Sequence, residues 1–253
     1  MRKKQKAVAI FLFLIGIGVG GFSSPASGTG GPENRVRISG RVTDFSNRPI
    51  VGASVELKDS RFETVAGATS GSDGGYALTV PKGNYMALTA VKDYQTKFLE
   101  YWAWNVPASE DLEINPRFDR LEVYAVNAWR PQGAYPSYQI YFRPMSLTKV
   151  TKGVIAAGGM ENFGKLPLLD MAPDLSPGDI IVTIDGQAVN ILKVNRILEA
   201  AGPKQDMVGY VIQTELPERK TVKDYSIITI TLTDHETGEK GEAGLFVGGG
   251  KLI

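Results

Sequence analysis

With one histidine, His235, and no cysteine, this chain has few routes to chemistry. Most hydrolytic relays need an imidazole and zinc sites need imidazoles or thiolates, so both classes recede, as do disulfides and cysteine nucleophiles. The chain has no glycine-rich phosphate loop, no Gly-x-Ser-x-Gly elbow and no His-Glu-x-x-His stretch. Carboxylate pairs flanking a bond remain, as glycosidases use them. Glu100, Glu110, Asp111, Glu113, Asp119 and Glu122 are the candidates, but they interleave with apolar strand residues in the pattern of a wet sheet face. Only a shifted pKa in a cleft would make catalysts of them. Asp174, Asp179, Asp185, Asp234, Glu236 and Glu239 could offer oxygens to calcium, yet their spacing is that of turns, and His235 reads as an exposed turn residue. The expectation is no catalytic residue, no metal and no cofactor.

The concentrated feature is aromatic. Trp102, Trp104 and Trp129 are the only tryptophans, and Tyr101, Tyr135, Tyr138, Tyr141 and Phe142 lie among them. Aromatic faces stack on the apolar faces of sugar rings while neighbouring polar side chains bind hydroxyls. The candidate ligand-binding set is therefore Trp102, Trp104, Trp129, Tyr135, Arg130 and Gln132, with Asn105 and Arg143 as further polar neighbours. Trp102 and Trp104 share one strand face because strand side chains alternate with period two. Trp129 and Tyr135 lead the set, since Pro131, Gly133 and Pro136 place them at an exposed loop. Strand aromatics also fill sandwich cores, and both readings stand at this point.

The elements that would position these residues begin after an export signal. Arg2, Lys3, Lys4 and Lys6 precede an apolar run from Ala7 to Phe22 and then small residues, the order of a signal peptide. Ser24 and Ala26 place cleavage after Ala26, with Gly28 as the neighbouring choice. The alternative is an uncleaved anchor, although the run is shorter than the ~20 residues of a spanning helix. Residues 27–34 read as a flexible leader. With 28 Lys and Arg against 27 Asp and Glu, the net charge of +1 draws the protein to neither nucleic acid nor an anionic surface. The 253 residues, less the signal, suffice for two domains of roughly 100 residues each.

From Val36 onward the chain reads as all-β: short alternating runs separated by Gly, Pro, Asn and Asp. Val36, Ile38, Gly40 and Val42 alternate with Arg37, Ser39 and Arg41, and Asp73-Gly74-Gly75 is the strongest turn signal, read as a hairpin. The series Ile38-x-Gly40-x-Val42-x-Asp44, Pro49-Ile50-x-Gly52-Ala53-x-Val55, then Asp73-Gly74-x-Tyr76-x-Leu78 and Gly83-x-Tyr85 resembles the carboxypeptidase regulatory-like family over about 35–92. The resemblance implies a transthyretin-like (prealbumin-like) β-sandwich that does no chemistry itself. The neighbouring zinc peptidase of that family needs two histidines and a glutamate, which one histidine cannot supply. The same module occurs on exported bacterial proteins.

Strand character continues through 121–126 and 138–142, as an extra sheet layer or two further strands. A linker is expected at 151–164, where glycines cluster without alternation. Pro173 to Asp179, the strand Ile180–Ile184 with Asp185-Gly186, and the closing run Ile228 to Val247 resemble a bacterial immunoglobulin-like domain over about 168–247. The competing resemblance is to PDZ domains, through Pro177-Gly178-Asp179-Ile180-Ile181 and Ile184-Asp185-Gly186-Gln187-x-Val189. That alternative calls for a helix at Ile191–Ala201, where Ile191, Val194, Ile197 and Leu198 have helical spacing. The expected organisation is thus signal peptide 1–26, leader 27–34, first sandwich 35–150, linker 151–164 and second, immunoglobulin-like sandwich 165–253. The expected function is non-catalytic binding or display on the cell surface or outside the cell. The partner is polysaccharide first, a surface protein second, and an accessory role in glycan processing third.

Overall fold

The computed structural model describes residues 34–218 and 223–248. The expected signal peptide and its cleavage site lie outside the described residues. The fold is all-β, with 56% of residues in strands and 9% in helices.

The first seven strands are β1 (Arg35–Arg41), β2 (Ser54–Lys58), β3 (Thr64–Thr69), β4 (Gly75–Pro81), β5 (Gly83–Val91), β6 (Tyr101–Ala108) and β7 (Leu112–Glu113). Strands β4-β1-β7 make a small sheet that packs on β6-β5-β2-β3. Alternation supplies the core: Val36 and Ile38 of β1 are buried against Val55, Leu57 and Leu88. The Asp73-Gly74 turn is real, but it is not a hairpin. Gly71 N–H donates to the Gly75 carbonyl, and the strands on either side go to different sheets, β3 to the large one and β4 to the small one. Gly74 holds φ +81°, and a Cβ there would lie 2.5 Å from the Val42 carbonyl oxygen, so glycine is required twice over.

The remaining elements are β8 (Leu121–Trp129), β9 (Tyr138–Ser146), α1 (Leu147–Ala156), α2 (Met160–Phe163), β10 (Leu168–Leu169), β11 (Ile180–Ile184), β12 (Gln187–Val189), β13 (Ile191–Gly202), β14 (Gln205–Thr214), β15 (Tyr225–Thr233) and β16 (Lys240–Gly248). Strands β12-β11-β15-β16 continue the large sheet of the first sandwich into one eight-stranded sheet, joined by parallel pairing of β16 with β6. At that joint Gly241 leaves space for the Leu121 carbonyl oxygen, 2.1 Å from where a Cβ would stand.

The second sandwich closes this half of the large sheet with β13-β14-β9-β8, to which β10 adds. Leu121, Val123, Ile140, Phe142 and Ile212 interleave with Val182, Ile228 and Ile230. Phe142 and Tyr210 stack at 5.8 Å. Strands β8 and β9, grouped by sequence with the first sandwich, pair here, because their apolar stripe faces this core. Residues 147–163, expected to be a linker from 151 on, form α1 and α2 over a third core that includes Tyr124, Met145, Leu147, Val150 and Phe163.

Ile191–Gly202 is a strand and not the helix that the PDZ alternative requires. A register shift between Ile191 and Lys193 moves the strand by one residue, so Ile191 and Val194, three apart, both pack on the second core. A bulged strand thus reproduces helical spacing.

Candidate functional site

The exposed aromatics converge on the outer face of the β13-β14-β9-β8 sheet. Ala128, Ile140, Ile212 and Val194 stand in register across the four strands and pack inward on the second core. Period-two alternation therefore turns their neighbours outward. One outward row reads Trp129, Gln139, Gln213 and Lys193, and the next reads Asn127, Tyr141, Val211 and Asn195. With strands about 4.8 Å apart, each row spans about 14 Å. Trp129 is 41% exposed, and Asn127, Lys193 and Asn195 are exposed as well. The helices cover only the far end of this face, at Tyr124, Met145 and Met207.

Internal bonds orient the polar groups. Gln213 Nε2 donates to Ser137 Oγ at 3.0 Å, and Asn195 Nδ2 donates to the Val211 carbonyl at 3.2 Å. Glu199 accepts from Tyr141 Oη at 2.5 Å and from Arg143 Nε at 2.7 Å. Burial works against ionisation of Glu199, but the hydrogen bonds from Arg143 and Tyr141 outweigh it and hold the carboxyl below its ordinary value. Gly209 makes room for this cluster, since a Cβ there would lie 2.6 Å from Glu199 Oε1. The result is a face with one internally neutralised ion pair, the further cation Lys193, four amides and two aromatic rings. Amides both donate and accept, as sugar hydroxyls do.

Of the candidate set, Trp129 opens a row of this face. Tyr135 (62% exposed), Arg130 and Gln132 lie in the β8–β9 loop at its end. Gly133 turns that loop at φ +72°, and Arg130 stands 5.9 Å over the Tyr138 ring.

Trp102 and Trp104 do not belong to the face. They share one side of β6 as alternation requires, stacked at 4.9 Å and 10°. That side is core, however, because Leu99, Tyr124, Met145 and Leu147 of the third core pack with it. Trp102 is 2% exposed and joins the third core, and Phe62 meets Trp104 edge-on at 6.1 Å.

Among the acids, Glu122 departs from the expected wet face, while Glu110, Asp111 and Glu113 are exposed as expected. Glu122 is fully buried on β8, and its carboxylate takes the Trp102 indole N–H at 2.9 Å. It faces the third core and not water, because its neighbour Tyr124 packs on the same side under the helices. Asp111 accepts from the Arg37 N–H, Glu113 from Asn115 and Glu110 from Lys223.

His235 is more than half exposed, with Nδ1 3.0 Å from Asp179 Oδ2. Ser176 Oγ donates to the same Asp179 oxygen at 2.7 Å. The carboxylate therefore stands between serine and imidazole, and the imidazole has no route to activate that hydroxyl. No group of three or more metal-ligating side chains exists among the described residues. Sequence reasoning missed Asn127, Gln139, Lys193, Asn195 and Gln213, whose common face becomes visible only through strand register.

Residues 37–115 match the family model of the carboxypeptidase regulatory-like domain, so the match ends beyond the motifs quoted over 35–92 and runs from within β1 through β7. No curated protein matches the chain. Among solved structures, the major pilin subunit BcpA of Bacillus cereus aligns at 12% identity over 85% of this chain and 68% of its own, with a TM-score of 0.27. A DUF3823 family protein of Parabacteroides merdae aligns at 10% identity over 84% and 98%, with a TM-score of 0.25. The full-length major pilin SpaD of Corynebacterium diphtheriae aligns at 6% over 84% and 64%, with a TM-score of 0.26. Nothing about the role of this chain follows from TM-scores this low.

Proposed function

We propose that the protein is an exported, non-catalytic pair of β-sandwiches that binds polysaccharide across the outer face of the β13-β14-β9-β8 sheet. The observation that carries this is the pair of outward rows, Trp129 to Lys193 and Asn127 to Asn195, on a face left open beyond the helices. Trp129 would stack on a sugar ring, Tyr135 would extend the platform from the loop, and the amides would bind hydroxyls. Strands β8 and β13 are both sheet edges, so a chain can enter and leave the face at either side. The regulatory-like domain match supports the non-catalytic part, as that module performs no chemistry in the family.

A glycan array probed with the protein lacking residues 1–26 tests this reading. Binding to a polysaccharide that is lost in Trp129→Ala supports it. Equal binding by parent and variant removes Trp129 from the site, and binding to no glycan ends the proposal.

One observation favours a second reading, assembly with another protein. Strand β3, an edge of the eight-stranded sheet, carries no charge from Thr64 to Thr69 and exposes Val65 at 38%. Edges without charge or proline are open to strand addition. Val65→Lys should then abolish any concentration-dependent association seen by light scattering and leave glycan binding intact.

A further inference from the structure

The free edge of β3 fits a second copy of itself. Ser70, just past the strand, donates its N–H to the Ala53 carbonyl and accepts from the Gly52 N–H, both at 2.9 Å, so its backbone groups turn towards the β2 side. In an antiparallel ladder this orientation alternates, and Thr69 and Gly67 therefore turn their N–H and C=O groups away from β2, where no strand follows. The register shift beside Leu57 and Lys58 falls at the Thr64 end, so 66–69 stays regular.

Other edges are less open. Strand β12 has three residues, and β13 carries Lys193, Arg196 and Glu199. Strand β4 is uncharged, but it ends in Pro81 and its Thr79 carbonyl accepts from the Arg35 guanidinium.

We propose that β3 pairs antiparallel with β3 of a second copy of this chain across a two-fold axis at Gly67, which joins two eight-stranded sheets into one. The proposal rests on the reading of β3 as an edge open to strand addition, and it names the partner. A two-fold pair must set outward-turned residues opposite one another, and the axis at Gly67 does so. Gly67 then meets its own copy, Ala66 meets Ala68, Val65 meets Thr69 and Thr64 meets Ser70. No like charges oppose along this run. The acid beside the axis, Glu56 of β2, is already paired with Lys58. On the inner side Ala66 and Ala68 pack on the first core, so the added strand prolongs that layer.

The two ends are complementary in charge. Before Thr64, Arg61 lies between Asp59 and Glu63 at 3.4 and 3.0 Å, which leaves one negative charge in surplus. Beyond Thr69, a cleft lined by Thr69 and Gly71 contains Arg37 and Arg41, neither of which has an ion pair among the described residues. Asp73 and Glu113 line it too, but they accept from the Gly75 N–H and from Asn115 Nδ2. The axis at Gly67 sets Glu63 opposite Gly71 of the second copy. Each acidic end thus meets the other copy's arginine cleft.

The absence of cysteine makes the test clean. A Cβ at Gly67 has its nearest contact at 3.7 Å, so Gly67→Cys fits the fold. Opposed residues of a hydrogen-bonded antiparallel pair stand about 5.5 Å apart at Cα, within disulfide reach. In the protein lacking residues 1–26, which keeps every described residue, sedimentation should show a concentration-dependent dimer. Gly67→Cys should oxidise to a covalent dimer that thiol reduction reverses. Thr64→Cys should not, because its two copies stand roughly 20 Å apart along the strands. Glu63→Lys should weaken the dimer about tenfold, and adding Arg41→Glu should recover it. A dimer that does not cross-link at Gly67, cross-links equally at Thr64, or ignores both charge changes overturns the proposal. So does a monomer at every concentration, and amide exchange then separates two failures. Fast exchange at Gly67 and Thr69 leaves the edge open to some other protein, whereas protection there ends the strand-addition reading as well.

Discussion

Arg120 Nε lies 2.9 Å from Glu239 Oε1, an ion pair between residues 119 apart that joins the start of β8 to the turn before β16. Glu239 is 4% exposed and also accepts from Ser146 Oγ and Thr148 Oγ1 at 2.5 and 2.6 Å. Arg117 makes the parallel bond to Glu242 two residues into β16. The two halves are thus fastened by side chains beside the strand joint of β6 and β16.

Removing one partner of a buried pair leaves the other charge without compensation. Arg120 keeps 40% of its side chain exposed, so water replaces part of what is lost. Arg120→Ala should cost about 1–3 kcal/mol in denaturant unfolding, below the ~3–5 of a wholly buried pair. A change under about 0.5 kcal/mol would show that Ser146 and Thr148 suffice for Glu239.

Gly74 and Gly133 separate backbone strain from steric conflict. Both hold positive φ, but a Cβ at Gly74 meets the Val42 carbonyl oxygen at 2.5 Å, while Gly133 has nothing within 4 Å. Gly133→Ala should cost about 1 kcal/mol, and Gly74→Val clearly more, read as two melting temperatures on one scale. Equal losses would mean that the Val42 carbonyl moves aside.

Trp102 and Trp129 should respond oppositely to truncation. Trp102→Ala removes a core side chain and should cost about 3–5 kcal/mol. Trp129→Ala should change stability by less than about 0.5 kcal/mol and abolish polysaccharide retention on an affinity gel. Severe destabilisation by Trp129→Ala would return this ring to a packing role.

The Glu199 cluster predicts an acid-side effect. Its folded pKa is lowered from 4.5, so its contribution is present above about that pH and is lost as the pH falls through the folded value. Glu199→Gln should lower the melting temperature at about pH 6, and its gap from the parent should narrow as the pH falls below about 4.5. Parallel curves at all pH values would place the stabilisation in packing rather than in charge.

Much of the strand content was legible because alternation is local. Val36 and Ile38 announce an inward face, Gly74 announces a positive φ, and Pro131, Gly133 and Pro136 mark the loop that exposes Tyr135. The order of motifs from Ile38 to Tyr85 likewise pointed to the regulatory-like domain. Helical spacing at Ile191 misled because a single bulge changes the phase of a strand, and no local signal marks it.

By itself the sequence determined which residues share a face, which turns need glycine, and that imidazole and thiolate chemistry is scarce. Only the tertiary structure decided what each face meets. Trp102 and Trp129 carry the same ring, yet β6 lies between two strands beneath a core, whereas Trp129 ends an edge strand beside water. Glu122 reads like any acid between apolar neighbours until Tyr94 and Trp102 close over it. Alternation is set by bonds between adjacent residues, but burial is set by strands that arrive from as far away as β16, and that distance leaves no periodic mark on the chain.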